Sequence, residues 1–417
     1  MATSLNAQQK KALQWAIEGK NVFVTGAAGT GKSFLLRSIV RVLQAKHACR
    51  EGSVVVTAMS AVAAHHIDAT TLHSGLGIGA FSIDQQLESL FPRTLFAHAF
   101  PDRPHNCQRW QNMRVLVIDE VSMLSAQLFT ALELLGRVVN STEDGISPKP
   151  FGGIQLILCG DFFQLPPVVG SNHSLRKDKV WLFLAETWFK CGIHVCNLQT
   201  VYRQRDHAFV KALSEIRCGQ LSPETTQMLR KCVQGLPCEK QRGTPMLYPL
   251  NKQVEAENTK RLARLDSQPF KYHREDWHGR GNSESKRALQ CLQKGCAETV
   301  TLKVGCKVML LANMTRELFN GSIGIVVGFE VSAPHDIASI GEIPMGRPRP
   351  FPVVEFYVKG GKSLTVRTSY ALKRTATFCG IPCSALHGSQ GRRVTLIMLV
   401  LMFVDHDGVG LVEGLGR

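Results

Sequence analysis

No Cys-x-x-Cys pair occurs among the thirteen cysteines of this 417-residue sequence. Cys379 and Cys383 have three residues between them and no matching second pair, and Cys291 and Cys296 have four. Zinc sites and redox dithiols are built on paired ligands, so these cysteines read as reduced thiols in a reducing compartment. Long apolar runs are scarce too. The longest, Val394 to Val404, is about half of what a membrane-spanning helix needs. Met1 to Leu5 show neither an apolar segment nor an arginine-rich amphipathic leader, so no secretory or membrane role is expected. Acidic residues are few against basic ones, 33 to 49, for a net charge of +16 and a pI of about 9.4. That balance favours a polyanionic partner, nucleic acid first; a basic compartment such as the mitochondrial matrix is the bland alternative. With 44% hydrophobic residues, the chain is long enough to bury real cores in two to four domains.

What is present centres on Gly26-Ala27-Ala28-Gly29-Thr30-Gly31-Lys32-Ser33. An apolar run, Asn21 to Val24, precedes it and a helical pattern, Phe34 to Val40, follows. Strand, glycine-rich turn and helix make a phosphate-binding P-loop. The glycines let successive N–H groups point at phosphate oxygens at a helix N-terminus, Lys32 reaches the β- and γ-phosphates, and the Ser33 hydroxyl ligates Mg²⁺. The sequence is that of a nucleotide-binding protein.

Before the P-loop, Asn6 suits a helix N-cap and Gln9 falls at the capping-box position. Gln9 has contact with an adenine edge as its second possible role. Val54 to Thr57 is a short strand pattern. Thr70 to Ser74 is small and hydroxylic, fit for a phosphodiester backbone or for an ordinary loop. Residues 80 to 110 contain Pro92, Pro101 and Pro104 and read as an irregular insertion. Val115 to Ile118 form a buried strand with Asp119 and Glu120 at its carboxyl end, where α/β sheets place ligands. Asp119 is expected in the Mg²⁺ shell and Glu120 beside the attacking water. Another buried strand, Gly152 to Cys159, runs into Gly160-Asp161-Phe162-Phe163-Gln164-Leu165-Pro166-Pro167. There a carboxylate and an amide are placed to sense a γ-phosphate, or else to close a capped turn. Arg203, ahead of a helix over Phe209 to Ile216, suits an arginine finger.

Near residue 185 a second half begins. Residues 265 to 297 are polar and read as a connection. Short strands follow around Val308–Leu311, Gly324–Phe329, Val353–Val358 and Leu364–Val366, the spacing of a small β-barrel. Gly341 to Pro352, with four prolines, reads as a loop within it. The tail beyond Val404 is glycine-rich.

With these residues in place, the chain resembles the PIF (petite integration frequency) family of DNA helicases, within superfamily one and related to RecD. The likeness runs from about residue 5 to residue 395. Leu5 to Gln9 is similar to the Q motif, Gly26 to Ser33 to motif I, and Thr57 to Ala64 with Thr70 to Ser74 to motif Ia and its extension. Ile118 to Met123 resembles motif II, Gly160 to Val168 motif III, Tyr202-Arg203-Gln204 motif IV, and His387-Gly388-Ser389-Gln390-Gly391 motif V. Leu247 to Asn251 and Leu318 to Ser322 resemble further family segments.

The resemblance implies an α/β fold of two tandem RecA-like P-loop domains, 1–185 and 186–417, with an SH3-like β-barrel inserted at about 322–375. It implies ATP and Mg²⁺ as cofactors. The activity implied is 5′-to-3′ unwinding driven by translocation on single-stranded DNA, in replication, repair, recombination or genome maintenance. The implied partners are single-stranded, forked or structured DNA, for a monomer working in the nucleus or alternatively the mitochondrion. Gln9 and Gly26 through Ser33 are then the nucleotide contacts, and Lys32, Asp119, Glu120, Gln164 and Arg203 the catalytic set. Ser33 and Asp119 hold the metal. Thr57, His73, His387, Ser389 and Gln390 carry over to the DNA strand.

Two departures stand against the family pattern. Gly388 occupies the place of the motif V lysine, and the Tyr-Val-Ala-Leu-Ser-Arg-like motif VI is absent from residues 396 to 417. Losing an arginine finger costs on the order of a thousandfold in rate. The alternative to a helicase is therefore an accessory factor that binds ATP and DNA with little turnover.

Overall fold

The computed structural model describes residues 5–78, 104–141, 145–167, 181–233, 248–273, 299–310, 318, 321–331, 350–358, 362–367, 372–373, 395–396 and 399–401. The chain divides into two compact units after Gln234.

In the first unit, α1 (Ala7–Ile17) leads to β1 (Val22–Gly26), α2 (Lys32–Lys46), β2 (Val54–Ala58), α3 (Ala61–His66), β3 (Thr70–Thr71) and α4 (Leu72–Leu76). Then come α5 (Pro104–Asn112), β4 (Val115–Asp119), α6 (Ala126–Val139), β5 (Gln155–Cys159), α7 (Glu186–Lys190) and β6 (His194–Leu198). Helices α8 (His207–Cys218) and α9 (Pro223–Cys232) close the unit. The six strands form one sheet in the order β3-β2-β4-β5-β1-β6, every pairing parallel.

All five residues of β4 are buried. A continuous apolar run is what a central parallel strand needs when helices cover both faces. The faces sort with period two. Val22, Val24, Val115, Val117 and Ile157 pack with Ala12, Ala16, Leu35, Leu36, Ile39 and Leu43 on one side. Phe23, Leu116, Ile118, Leu156 and Leu158 pack with Trp110, Phe129 and Leu132 on the other. Each fully buried leucine here contributes about 1.5–3 kcal/mol relative to exposure. The sheet is thereby held rigid, and its carboxyl edge becomes a fixed platform.

Two expectations need correction in this unit. Residues 104–112 are helical rather than irregular. Trp110 on α5 is fully buried and donates its indole N–H to the Leu76 carbonyl at 3.0 Å. Few strongly apolar residues mark α5, so periodicity does not reveal it, and its Pro104 fits a first helical position, where no N–H is needed. The rest of that segment, 79–103, lies outside the described residues. The boundary expected near residue 185 falls inside the first unit: β6 pairs with β1 along its whole length.

The second unit holds α10 (Asn251–Ala263), an antiparallel pair of β7 (Phe270–His273) with β8 (Thr299–Leu302), and β9 (Lys307–Leu310), β10 (Ile323–Val331), β11 (Pro350–Val358) and β12 (Lys362–Arg367). Short strands β13 (Leu372–Lys373) and β14 (Thr395–Leu396) pair with each other, and β15 (Leu399–Leu401) joins β9. The main sheet is antiparallel in the order β12-β11-β10-β9-β15. Leu302, Cys306, Val308, Val326, Val354 and Phe356 form its core with Leu262 and Tyr272.

The polar connection expected over 265–297 contains β7, whose Tyr272 hydroxyl donates to the Pro350 carbonyl at 2.7 Å; residues 274–298 lie outside the described residues. The expected proline loop also ends early, because Pro350 to Pro352 open β11. They pair with β10, whereas the pairing with β12 starts at Val353. A missing N–H is tolerated at such an edge. Among the described residues no helix is long and apolar enough to cross a membrane.

Candidate functional site

The strands β4, β5 and β1 are neighbours, and their carboxyl ends carry the P-loop, Asp119 with Glu120, and the Gly160–Pro167 turn. Three sequence-distant segments thus meet at one edge. In open α/β sheets this edge is the ligand platform.

The P-loop is shaped by backbone that favours glycine. Gly29 and Gly31 have φ of +81° and +85°, the left-handed region that costs other residues. A Cβ on Gly29 would stand 2.7 Å from the Arg203 Cβ, and one on Gly31 would stand 3.0 Å from the Gln9 amide nitrogen. Lys32 donates to the Gly26 carbonyl at 2.9 Å and the Ala27 carbonyl at 3.2 Å, and the Thr30 hydroxyl donates to Ala27 at 2.9 Å. Gly31 caps α2 and offers no side-chain oxygen to the first-turn amides. A helix N-terminus without a side-chain cap, behind a glycine cradle, fits a phosphate group.

Gln9 is buried, and its capping box with Asn6 is complete: Gln9 N–H to Asn6 Oδ1 at 2.8 Å, Asn6 N–H to Gln9 Oε1 at 3.0 Å. The same side chain lies against Gly31. Capping and contact with the loop coexist in one residue.

Asp119 is 5% exposed. Burial pushes its carboxyl above the ordinary range, against hydrogen bonds from the Cys159 thiol and the Glu120 amide and the charge of Lys32. Burial likewise raises Glu120, with the Asp119 and Asp161 carboxylates adding to the rise. The Cys159 thiol, buried beside Asp119, is held well above its usual value and is inert as a nucleophile. Glu120 has φ 57° and ψ 45°, a strained conformation for a non-glycine residue of the kind that clusters at functional sites. A carboxylate with a raised proton affinity at a strand end suits a general base.

In the next turn, Asp161 is 1% exposed. It accepts from Arg217 twice, Nε to Oδ2 at 2.9 Å and Nη2 to Oδ1 at 2.6 Å, and from the Gln164 amide at 3.2 Å. Burial alone would raise its pKa; the Arg217 bonds, the Phe163 N–H and Gln164 reverse that and hold it below the ordinary value. Arg217 has no place in the sequence reading. Nothing local marks it, since its partner lies 56 residues away.

The segment after β6 lies across the P-loop. The Tyr202 N–H donates to the Gly29 carbonyl at 2.8 Å, and the Tyr202 hydroxyl accepts from Asn6 Nδ2 at 2.9 Å. Arg203 is exposed beside Gly29. Ser33 is exposed on the first turn of α2. Among the described residues no group of three or more His, Cys, Asp or Glu is arranged to hold a metal. The Ser33 hydroxyl and the Asp119 carboxylate are oxygen donors of the kind Mg²⁺ takes, and Mg²⁺ fills much of its shell with water and phosphate oxygen.

The strand-contact residues divide. His73 is half-buried on α4. Thr57 is fully buried, with its hydroxyl donating to the Val117 carbonyl at 2.8 Å and its methyl 2.6 Å from where a Cβ on Gly75 would stand. It therefore packs against Gly75 of α4, the helix that carries His73. His387, Ser389 and Gln390 lie outside the described residues.

Comparison with known proteins agrees with this geometry. The family model for PIF1-like helicases matches residues 4–227. The ATP-dependent DNA helicase PIF1 of Emericella nidulans is 36% identical over 333 residues, covering 79% of this chain and 42% of that protein. The chain thus spans less than half the length of that relative. The crystal structure of the Pif1 helicase from Candida albicans superposes with a TM-score of 0.76 at 26% identity, covering 96% of this chain and 85% of that one. Bacteroides Pif1, solved bound to ssDNA, superposes with a TM-score of 0.60 at 21% identity, covering 97% and 82%, and speaks to the fold alone.

Proposed function

Because the chain belongs to the PIF1-like helicase family, we propose that it is an ATP-dependent DNA helicase that moves 5′ to 3′ along single-stranded DNA. Its substrates are forked or structured DNA, nuclear or mitochondrial. The observation that carries the reading is the meeting of P-loop, Asp119–Glu120 and the Asp161–Gln164 turn at the ends of three adjacent strands.

The chemistry follows from the residues. The α2 amides and the glycine turn bind the β- and γ-phosphates. Lys32 exchanges two backbone carbonyls for phosphate oxygens, so its ammonium is already held at the mouth of the loop. Mg²⁺ bound with the nucleotide supplies charge neutralisation at the phosphate oxygens, and Ser33 and Asp119 are the residues that would hold it. Glu120 takes the proton of the attacking water, its raised pKa strengthening it as a base. Gln164 contacts the γ-phosphate from the β5 turn, and Arg203 meets the charge that develops there. Gln9 reads the adenine edge.

The second unit completes the motor as a second RecA-like domain with an SH3-like insertion at about 322–375. His73, His387, Ser389 and Gln390 touch the strand, and Thr57 packs against α4, which carries His73. The surplus of basic residues supplies the phosphate attraction that nucleic-acid tracking requires.

Steady-state ATP turnover with and without single-stranded DNA, alongside Lys32→Ala, tests this. Stimulation of about tenfold or more by DNA, lost in Lys32→Ala, is the expected result. DNA binding without turnover overturns it in favour of an accessory factor.

A further inference from the structure

We propose that Arg217 is a positioning residue for ATP turnover, one that sets the orientation of Gln164 through Asp161 and ties the γ-phosphate-sensing turn to α8. The proposal rests on the reading of Gln164 as the γ-phosphate contact.

The turn from Asp161 to Gln164 is closed on itself. The Gln164 N–H donates to the Asp161 carbonyl at 2.9 Å, the Phe163 N–H to Asp161 Oδ1 at 3.2 Å, and the Gln164 side-chain amide to Oδ2 at 3.2 Å. Both carboxylate oxygens also take an Arg217 nitrogen. The Arg217 guanidinium lies 4.4 Å over the Phe163 ring while it forks onto Asp161. It therefore grips the residue before Gln164 by its ring and the start of the turn by its carboxylate. A planar fork that also stacks is a geometry lysine does not reproduce.

The helix carrying Arg217 is pinned at its other end as well. The lead-in to α8 holds the P-loop through Tyr202 N–H to Gly29, and Asp206 caps the helix by accepting from Ala208 and Phe209. Arg217 sits in the last turn. The segment from Tyr202 through α8 thus runs from the phosphate-binding loop to the sensing turn, so that a shift of Gln164 toward or away from phosphate would pull on the far end of α8. A fork onto a nearly fully buried carboxylate transmits such a shift because it has little slack.

The experiment is a double-mutant cycle between Arg217→Ala and Gln164→Ala, read as kcat and KM of DNA-stimulated ATP hydrolysis and as single-stranded DNA affinity without nucleotide. Arg217→Ala is expected to lower kcat about tenfold or more, with KM and DNA affinity changed less than about twofold. The double variant should be no slower than the slower single, because both act through one turn. Effects that multiply, or a loss confined to DNA affinity or to KM, overturn the proposal. Arg217→Lys covers the case in which Arg217→Ala does not fold. With its thermal melt preserved, a kcat reduced about threefold or more supports the fork, and an unchanged kcat overturns it. Gln164→Ala with normal kcat overturns the γ-phosphate reading itself, and a Gln164→Ala loss that Arg217→Ala does not share overturns the positioning role alone.

Discussion

The backbone amide of Tyr202 donates to the carbonyl of Gly29 across 173 positions of sequence, at 2.8 Å. The P-loop is therefore shaped partly by the segment that carries Arg203. Gly29 makes that contact possible twice over: its φ of +81° is one that side chains avoid, and a Cβ there would stand 2.7 Å from the Arg203 Cβ.

Gly29→Ala is accordingly expected to destabilise the fold by about 1–3 kcal/mol and to displace the Tyr202–Arg203 segment. Nucleotide affinity, titrated with a fluorescent ADP analogue, should fall together with the thermal midpoint. An alanine variant with wild-type affinity would show that the segment approaches the loop only loosely.

Asp119 separates function from stability. Its folded pKa is raised by burial, so the folded state holds its proton more tightly than the unfolded chain does. Stability is then lost as pH rises from the unfolded value, about 3.9, through the raised folded value, and the deficit persists at neutral pH. Asp119→Asn keeps an oxygen for the Glu120 N–H and removes the buried charge. We expect a higher melting temperature than wild type at neutral pH, a difference that shrinks as pH falls through the raised folded value and vanishes below the unfolded one, and loss of ATP turnover. A lower neutral-pH midpoint would mean that Lys32 and the Cys159 thiol stabilise the carboxylate more than burial penalises it.

How much of this was legible before the fold was known depends on range. The P-loop was readable because its glycines, lysine and serine act at fixed local spacing. Asp119 and Glu120 were readable because four apolar residues announce a buried strand just before them. The Asn6–Gln9 capping box is a three-residue relationship and stands as expected. Periodicity does not reveal Trp110, because one large side chain docking on the Leu76 carbonyl makes no repeating pattern. Pro350 and Pro352 read as loop because only the register of neighbouring strands reveals that they sit where no second partner needs their N–H. Arg217 and Asp161 are joined by tertiary contact alone, so neither composition nor spacing points from one to the other. Motif position points Thr57 toward the DNA strand, whereas its burial against α4 makes it a support.

Gln9 offers the sharpest separation of two roles. Its Oε1 accepts the Asn6 N–H, while its Nε2 lies on the side facing Gly31. Gln9→Glu keeps the accepting oxygen, and a carboxylate at this position of a capping box is favourable to the helix. On the proposed reading, the substitution removes the amide that would donate to adenine N7 while N6 donates to the oxygen. Stability should stay within about 0.5 kcal/mol of wild type. Losing one bidentate base contact is worth about 1–3 kcal/mol, so KM for ATP should rise at least several-fold, and the preference for ATP over pyrimidine nucleotides should shrink with it. Gln9→Ala should lose both cap and contact, lowering the melting temperature as well as the preference. If Gln9→Glu retains the wild-type KM and base preference while Gln9→Ala is merely less stable, the residue is a helix cap that happens to adjoin the P-loop, and the adenine edge is read elsewhere.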